Sequence, residues 1–174
     1  MEQLKMIWNR GETPDTPDWS GLVCRSFDGS DKDIESWLDI VQYGLTEKRQ
    51  DKAFFYECMF SHGELEYDKF YMVECDGEPA ATLAVICDYD KKQGYIHMVG
   101  CKPGFRGRGI GNKLAMQAVC TLVSAGMETA YLTTDDFRIP AIKSYLKAGF
   151  VPDIKDEEHK KRWENVFNTI QKNL

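Results

Sequence analysis

Hydrophobic side chains recur along the chain at two periods, and each period predicts a different kind of element. In residues 34–41 they fall at steps of three and four, the spacing of one helix face, and Ser30 before them can cap a helix. A second helix is predicted at Lys52–Phe60. Residues 70–101 instead have the pattern of strands, and Asp76-Gly77 predicts a two-residue hairpin turn between the first two of them.

The second half continues the alternation of helices and strands. The stripe Ile110, Leu114, Ala118 and Leu122 predicts a long amphipathic helix, which Gly126 ends. In order, the predicted elements are a strand at Leu22–Phe27, helices at 31–43 and Lys52–Phe60, strands at Phe70–Cys75, Ala80–Cys87 and Tyr95–Cys101, a helix at 110–125, a strand at Ala130–Thr133, a helix at 140–148 and a last helix after Asp156.

Length and composition predict one mixed α/β domain. The chain has 174 residues, of which 43% are hydrophobic and 29% charged, the values of an ordinary globular protein. No internal repeat, low-complexity tract or linker divides it, so the domain is predicted to span residues 1–174. The last helix carries an apolar stripe of Trp163, Val166, Phe167 and Ile170. We expect this stripe to pack on its own domain, with a homodimer as the alternative.

Charge and cysteine usage exclude several classes of function. The formal net charge of −6 argues against non-specific binding to nucleic acid or to an anionic membrane, since both need a basic surface. The six cysteines include no Cys-x-x-Cys pair, which predicts reduced thiols and no disulfide framework or metal site. The first ten residues lack the apolar run of a signal peptide. A cytoplasmic location is therefore expected.

The segment Tyr95–Gly111 carries the strongest functional signal. It begins as an apolar strand, breaks at Lys102-Pro103-Gly104 and passes through three alternating glycines into the long helix. A glycine-rich turn that opens a helix binds phosphate well, because its N–H groups have no partner and the helix dipole favours an anion. The dinucleotide pattern Gly-x-Gly-x-x-Gly fails because Asn112 takes the third glycine's place, and no Gly-Lys-Ser/Thr follows as in a P-loop.

Two motifs resemble those of a known family. Arg106-x-x-Gly109-x-Gly111 is similar to the pyrophosphate-binding motif Gln/Arg-x-x-Gly-x-Gly/Ala of the GNAT superfamily of acyl-CoA-dependent N-acetyltransferases. The run from Ala141 to Phe150 resembles the family signature Ala-Ile-x-x-Tyr-x-x-x-Gly-Phe. The resemblance covers about residues 70–151. It implies a central mixed, mostly antiparallel sheet flanked by helices, to which this chain adds a C-terminal helix.

The resemblance also implies a binding site for acetyl-CoA, with no metal. The pyrophosphate is expected on the backbone amides of residues 107–112, and the pantetheine amides are expected on the exposed edge of the strand that precedes the motif. One departure stands out, because the family often has an Asn shortly before Ala141, where this chain reads Asp135-Asp136-Phe137-Arg138-Ile139. The expected cofactor-binding residues are Val99, Gly100, Cys101, Arg106, Gly107, Arg108, Gly109, Ile110, Gly111 and Asn112.

The chemistry is attack of a neutral amine on a thioester, which needs a proton acceptor and a proton donor. At the family's general-acid position Tyr145 is expected to protonate the leaving CoA thiolate. The base is less well specified: Glu74 and His97 lie on predicted central strands, Asp135 follows a strand, and ordered water is a further alternative. Two other histidines, His62 and His159, are expected to be solvent-facing or capping.

The prediction is therefore an N-acetyltransferase that acts on a primary amine of a small molecule or peptide. An alternative is a catalytically silent module that binds or senses acyl-CoA. A nucleotide-dependent oxidoreductase is disfavoured by Asn112.

Overall fold

One mixed sheet runs through the protein and helices cover both of its faces. The computed structural model describes residues 2–46 and 48–172, and over this part of the chain it contains seven strands and five α-helices. The strands are β1 Leu4–Asn9, β2 Val23–Ser26, β3 Phe70–Cys75, β4 Glu78–Asp88, β5 Gln93–Cys101, β6 Thr129–Thr134 and β7 Val151–Pro152. The helices are α1 Asp31–Val41, α2 Lys52–Phe60, α3 Ile110–Ser124, α4 Ile139–Lys147 and α5 Glu157–Lys172.

The strand order is β2-β3-β4-β5-β6-β1-β7, and most neighbours are antiparallel. Strands β3, β4 and β5 form the expected meander, whose first turn places Asp76 and Gly77 at positive φ. Among the described strands only β5 and β6 pair in parallel, and the long helix α3 connects them. The predicted fold class, a mostly antiparallel mixed sheet flanked by helices with a C-terminal helix, is confirmed.

Strand β1 is an element that the sequence analysis did not predict. Leu4, Met6 and Trp8 are buried and alternate with less buried residues, so the period-two signal was present but short. All six of its residues pair with β6, which lies some 125 positions later in the chain. This pairing places Gln3, just before β1, beside a cavity between β5 and β6.

The two faces of the sheet have separate cores. Helices α3 and α4 cover one face, where Leu114, Leu122 and Ile142 are completely buried. Helices α1 and α2 cover the other face, where Trp37, Phe55 and Phe70 form its aromatic centre. Side chains from either core could therefore reach a gap in the sheet.

Helix α5 packs on its own chain through part of the predicted stripe. Trp163 and Val166 are buried in the core beside α4, whereas Phe167 stays 36% exposed. Arg162 of the same helix donates through Nε to Asp136 at 3.0 Å. The ion pair fastens α5 to the loop between β6 and α4.

We predict that Gly94→Ala destabilises the fold by about 1–3 kcal/mol, the usual cost of overpacking a core. A Cβ on Gly94 would overlap Leu122 Cδ2 and lie 3.5 Å from Ala130 Cβ, and Leu122 is fully buried and cannot move aside. Denaturant unfolding measures the change. Gly104→Ala is the control, because its Cβ meets no atom within 4 Å. Equal stability of the two variants would contradict the close packing at Gly94.

Candidate active site

Strands β5 and β6 separate after three paired residues. Pairing covers only Gln93, Gly94 and Tyr95 with residues 129–131, although β5 continues to Cys101 and β6 to Thr134. Beyond this point no strand of the described residues pairs with the edge of β5 that faces β6. A cavity of about 260 Å³ occupies the gap, lined by residues 95–99 of β5, residues 132–134 of β6, and parts of α4.

A β-bulge shapes the open edge of β5. Ala84 pairs with His97 and Thr82 pairs with Gly100, so Met98 and Val99 together oppose Leu83. Met98 takes a positive φ of 52°, which is unusual for a residue with a long side chain. The bulge breaks the regular ladder where the strand borders the cavity, and it leaves backbone groups of the strand available to a ligand.

Gly100 follows the bulge and lies close to α1 and the segment after it. A Cβ there would be 3.1 Å from Leu45 Cδ1 and 3.2 Å from Ile40 Cγ2. The absence of a side chain therefore lets α1 approach the strand, as expected for glycine within a strand. Leu45 in turn closes one side of the cavity.

The glycine-rich loop presents a row of backbone amides. Within the described part of the chain, the N–H groups of residues 107–112 have no recorded acceptor, and the first helical bond runs from Lys113 N–H to Gly109 O at 3.2 Å. Gly107 and Gly109 take φ of 78° and 76°, a conformation that glycine adopts without strain. The loop therefore has the features of an anion site, because free donors lie directly before and at a helix N-terminus.

Arg106 and Arg108 belong to this loop, and the guanidinium group of each bonds to other residues of the chain. Arg106 donates through Nε to Cys101 O at 3.1 Å and through Nη2 to Tyr43 O at 2.8 Å. Arg108 donates through Nη1 to Cys75 Sγ at 3.3 Å and stacks on Phe105. Their positive charge is thus held beside the free amides, and Arg106 also connects the loop with the end of α1.

Tyr145 lies on α4 and lines the cavity from the α3/α4 side of the sheet. Its side chain belongs to the core of that face and is 7% exposed, and its hydroxyl has no recorded partner within the described residues. Burial raises the pKa of Tyr145 to about 12, so the phenol keeps its proton at neutral pH. A neutral phenol without a partner can donate to an atom that enters the cavity.

His97 lines the same cavity but belongs to the opposite side of the sheet. Its Nε2 lies 3.2 Å from Cys58 O on α2, and its Nδ1 lies 3.3 Å from Tyr95 Oη. The side chain is buried, and its desolvation, followed by the charge of His62, lowers the pKa of His97 to about 4. The imidazole is therefore neutral under physiological conditions.

The prediction of Glu74 as a base is not supported by its position. Its Oε1 accepts hydrogen bonds from Arg25 Nε at 2.9 Å and Nη2 at 2.7 Å, and Glu74 does not line the cavity. The guanidinium of Arg25 also binds both oxygens of the buried Asp33. Glu74 belongs to an ion-pair cluster at β2 and β3, two strands away from the gap.

The remaining acidic and histidine candidates also have structural partners. Asp135 accepts from Arg138 Nε at 2.7 Å and from Gln3 Nε2 at 3.1 Å. His159 is buried and its Nδ1 lies 2.7 Å from Asp156 Oδ1 at the start of α5, so the solvent-facing alternative is wrong for it. His62 is exposed, as expected, but its ring stands 4.9 Å from those of both Tyr95 and His97.

Sequence reasoning missed several residues that the fold brings to the cavity. Gln3, Leu45 and Arg138 line it from three distant parts of the chain, and no motif marks them. Tyr95 could have been found, because it lies two positions before His97 and therefore on the same face of the strand.

Within the described residues no cluster of three metal-ligating side chains occurs. Over the same residues no helix is long and apolar enough to span a membrane.

Comparisons with known proteins agree with this geometry. A sequence model of the acetyltransferase (GNAT) family matches residues 33–150. A mycothiol acetyltransferase of Beutenbergia cavernae is 26% identical over 141 residues, which cover 79% of this chain and 48% of that protein. An uncharacterized N-acetyltransferase of Archaeoglobus fulgidus is 34% identical over 93 residues, covering 49% of this chain and 59% of that protein.

The fold has solved counterparts as well. A GCN5-related N-acetyltransferase from Sphaerobacter thermophilus has a TM-score of 0.69 over 88% of this chain and 50% of its own length. The identity there is 18%, so this likeness concerns the fold alone. The chain spans about half the length of these relatives.

We predict that His97 makes stability depend on pH between about 4 and 6.5. The folded state holds the imidazole neutral down to about pH 4, whereas the unfolded chain binds a proton from about 6.5. The contribution of neutral His97 to the free energy of unfolding is fully present above pH 6.5. As the pH is lowered from 6.5 to about 4, this contribution decreases by about 3 kcal/mol in total. Urea unfolding across this range measures the slope, and His97→Gln should flatten it.

His62→Gln is the control for this experiment, because His62 is exposed and should leave most of the slope in place. An unchanged slope in His97→Gln would contradict the assignment of the buried neutral histidine.

Proposed function

Because the chain belongs to the acetyltransferase (GNAT) family, we propose that it is an N-acetyltransferase that transfers acetyl from acetyl-CoA directly to a primary amine of a small molecule or peptide. The observation that carries the proposal is the open edge of β5, which borders the cavity lined by Tyr145 and leads through Cys101 to the loop whose amides at residues 107–112 are free. Each part matches one portion of acetyl-CoA.

The amides suit the diphosphate of CoA. They lie before and at the N-terminus of α3, where the helix dipole adds a favourable potential for an anion. Gly107 to Asn112 would bind phosphate oxygens, and Arg106 and Arg108 would add positive charge beside them. The contacts that Arg106 now makes are with carbonyl oxygens, so a phosphate could compete for its guanidinium.

The open edge of β5 suits the amide-containing arm. Val99 belongs to the bulge, and Gly100 and Cys101 lead from it to the glycine-rich loop; among the described residues no strand pairs with them on the side toward β6. An extended amide chain there would bond to the backbone as an added strand does. The acetyl group would then lie near the bulge, where backbone N–H groups can polarise its carbonyl oxygen.

Tyr145 would act on the leaving group. Its phenol is neutral and lines the cavity from the α4 side, so it would donate its proton to the CoA sulfur as the C–S bond breaks.

His97 would act on the incoming amine from the other side of the sheet. With its pKa lowered to about 4 it cannot deprotonate a free alkylammonium ion, so the amine must arrive neutral. The nitrogen becomes strongly acidic as it attacks the carbonyl, and a weak base is then sufficient.

The acceptor would enter from the α1/α2 face and the cofactor along β5. His97 contacts α2, whereas Tyr145 belongs to the core under α3 and α4, so the two groups reach one cavity from opposite faces.

A cytoplasmic location is part of the proposal, since all six cysteines are free thiols. The second candidate is an acyl-CoA-binding module without catalysis, and the role of Tyr145 separates the two.

We predict that CoA raises the melting temperature of the protein and that NAD does not. A ligand at a hundred times its dissociation constant stabilises the folded state by about 2.7 kcal/mol. Gly109→Ala should weaken CoA binding by about 5- to 30-fold, because a side chain in the left-handed conformation costs about 1–2 kcal/mol.

Gly77→Ala is the matched control for the loop variant. Gly77 has a similar φ of 79° and an equally open surrounding, but it lies in the β3–β4 turn, so CoA affinity should stay unchanged. Equal effects of the two substitutions on CoA affinity, or a response to NAD, would contradict the diphosphate site.

We predict that Tyr145→Phe lowers turnover by about 10²-fold or more, the range of a general acid, while the affinity for CoA changes little. Release of free CoA thiol from acetyl-CoA, measured over a panel of amines, gives the turnover. Tyr56→Phe is the control, because Tyr56 is 53% exposed on α2. Unaltered turnover in Tyr145→Phe would show that Tyr145 is not the acid, and absence of turnover in the wild type would favour the silent module.

A further inference from the structure

We propose that the Tyr95 hydroxyl is the atom that takes the proton from the attacking amine and passes it to His97. This inference rests on the proposed acetyl transfer and adds a residue to it that no motif marks. The observations that carry it are the two hydrogen bonds of the His97 ring, the burial of that ring and the position of Tyr95 at the cavity.

The tautomer of His97 follows from its partners. Nε2 lies 3.2 Å from the carbonyl oxygen of Cys58, and a carbonyl can only accept a hydrogen bond. In the neutral ring Nε2 therefore carries the hydrogen and Nδ1 carries the lone pair. The Tyr95 hydroxyl, 3.3 Å from Nδ1, then donates to it. The only basic atom of His97 is thus already occupied by the Tyr95 hydroxyl.

An amine cannot reach Nδ1 without displacing this hydroxyl. The His97 side chain is only 6% exposed, whereas Tyr95 is half-buried and also lines the cavity. The phenol oxygen has a second lone pair, which is able to accept a hydrogen bond from an incoming N–H group. The shortest route for a proton from the cavity to His97 therefore passes through Tyr95.

The ring of Tyr95 is held in place by its neighbours. Tyr131 stacks on it with ring centroids 4.7 Å apart, and His62 packs at 4.9 Å on another side. The groups that face the pair are His62, Cys58, Tyr131 and Thr133, whose side chain is within hydrogen-bonding reach of the Tyr95 hydroxyl. Beyond Tyr131 the ammonium group of Lys5 lies over that ring at 4.8 Å. Within the described residues no carboxylate bonds to Tyr95 or His97, so nothing acidic competes for the transferred proton.

The proton balance closes with the groups present. As the N–C bond forms, the nitrogen gives one proton to Tyr95 Oη while the Tyr95 proton moves to His97 Nδ1, which leaves a neutral tyrosine and an imidazolium. The C–S bond breaks at the same stage and the sulfur takes the proton of Tyr145. His97 then releases its proton to solvent and Tyr145 regains one. Burial raises the pKa of Tyr95, so the phenol passes a proton on rather than standing as a phenolate.

Long-range proton–nitrogen NMR of the histidine rings tests the geometry without an acceptor. We expect His97 in the Nε2–H form, and we expect the Nδ1 resonance to shift in Tyr95→Phe because its donor is gone. An Nδ1–H tautomer in the wild type, or an Nδ1 resonance that does not respond to Tyr95→Phe, would overturn the relay.

Steady-state kinetics test whether Tyr95 and His97 act together in the proton transfer. With an amine that the wild type acetylates, Tyr95→Phe and His97→Gln should each lower kcat by about 10- to 100-fold, and the double variant should be no slower than the slower single variant, because the two act as one unit. The CoA dissociation constant should change less than about twofold in each variant. Tyr131→Phe is the matched control, because it removes the hydroxyl of the ring stacked on Tyr95, and its kcat should stay within about twofold of the wild type.

The outcomes separate the two levels of the proposal. Full activity in Tyr95→Phe, or additive losses in the double variant, would overturn the relay and leave the acetyltransferase intact. Failure of the wild type to acetylate any amine of the panel would overturn the proposed function, and the relay with it.

Discussion

Backbone N–H and C=O groups that are removed from water need hydrogen-bond partners, and a strand in the centre of a sheet normally finds them on both sides. Within the part of the chain that the structure describes, strand β5 has a partner strand on one side only beyond Tyr95, because its pairing with β6 ends after three residues. The bulge at Met98 and Val99 disturbs the other side at the same place. A strand with this defect remains stable because the cores above and below it are complete, and the unpaired groups are left for a ligand.

The divergence also decides where the side chains of the site come from. Once the sheet is open, a residue on either face can reach the same cavity, and Tyr145 and His97 do so from opposite faces. Both groups are buried and neutral at physiological pH. The positively charged Arg106 and Arg108 lie outside this buried cavity, in the loop where the anionic part of CoA would bind.

Close packing explains why some positions tolerate no side chain. Gly94 lies where β5 and β6 still pair, and Leu122 of α3 fills the space above it. Gly100 lies after the separation, where Leu45 and Ile40 approach from the other face. The paired and the open parts of β5 are thus each fixed by a glycine, against different helices.

The local patterns of the sequence were enough to predict most helices, the hairpin meander and the glycine-rich loop, because each depends on neighbours within a few residues. The motif around Gly109 and the signature ending at Phe150 also indicated the family, which the match over residues 33–150 confirms. The chain alone could not show that β1 inserts beside β6, or that Glu74 is held by Arg25 rather than facing the cavity. Pairing between segments more than a hundred residues apart leaves only a weak mark on the local pattern.

What the sequence determined by itself was therefore the set of elements and the chemistry of the loop. Only the tertiary structure decided which side chains meet: His97 became buried and neutral because α2 covers it, and Tyr95 became its partner because the two lie on one face of an opened strand. The protonation state of a histidine depends on the solvent that its neighbours exclude. Those neighbours come from segments that are distant in the chain and are brought together only by folding.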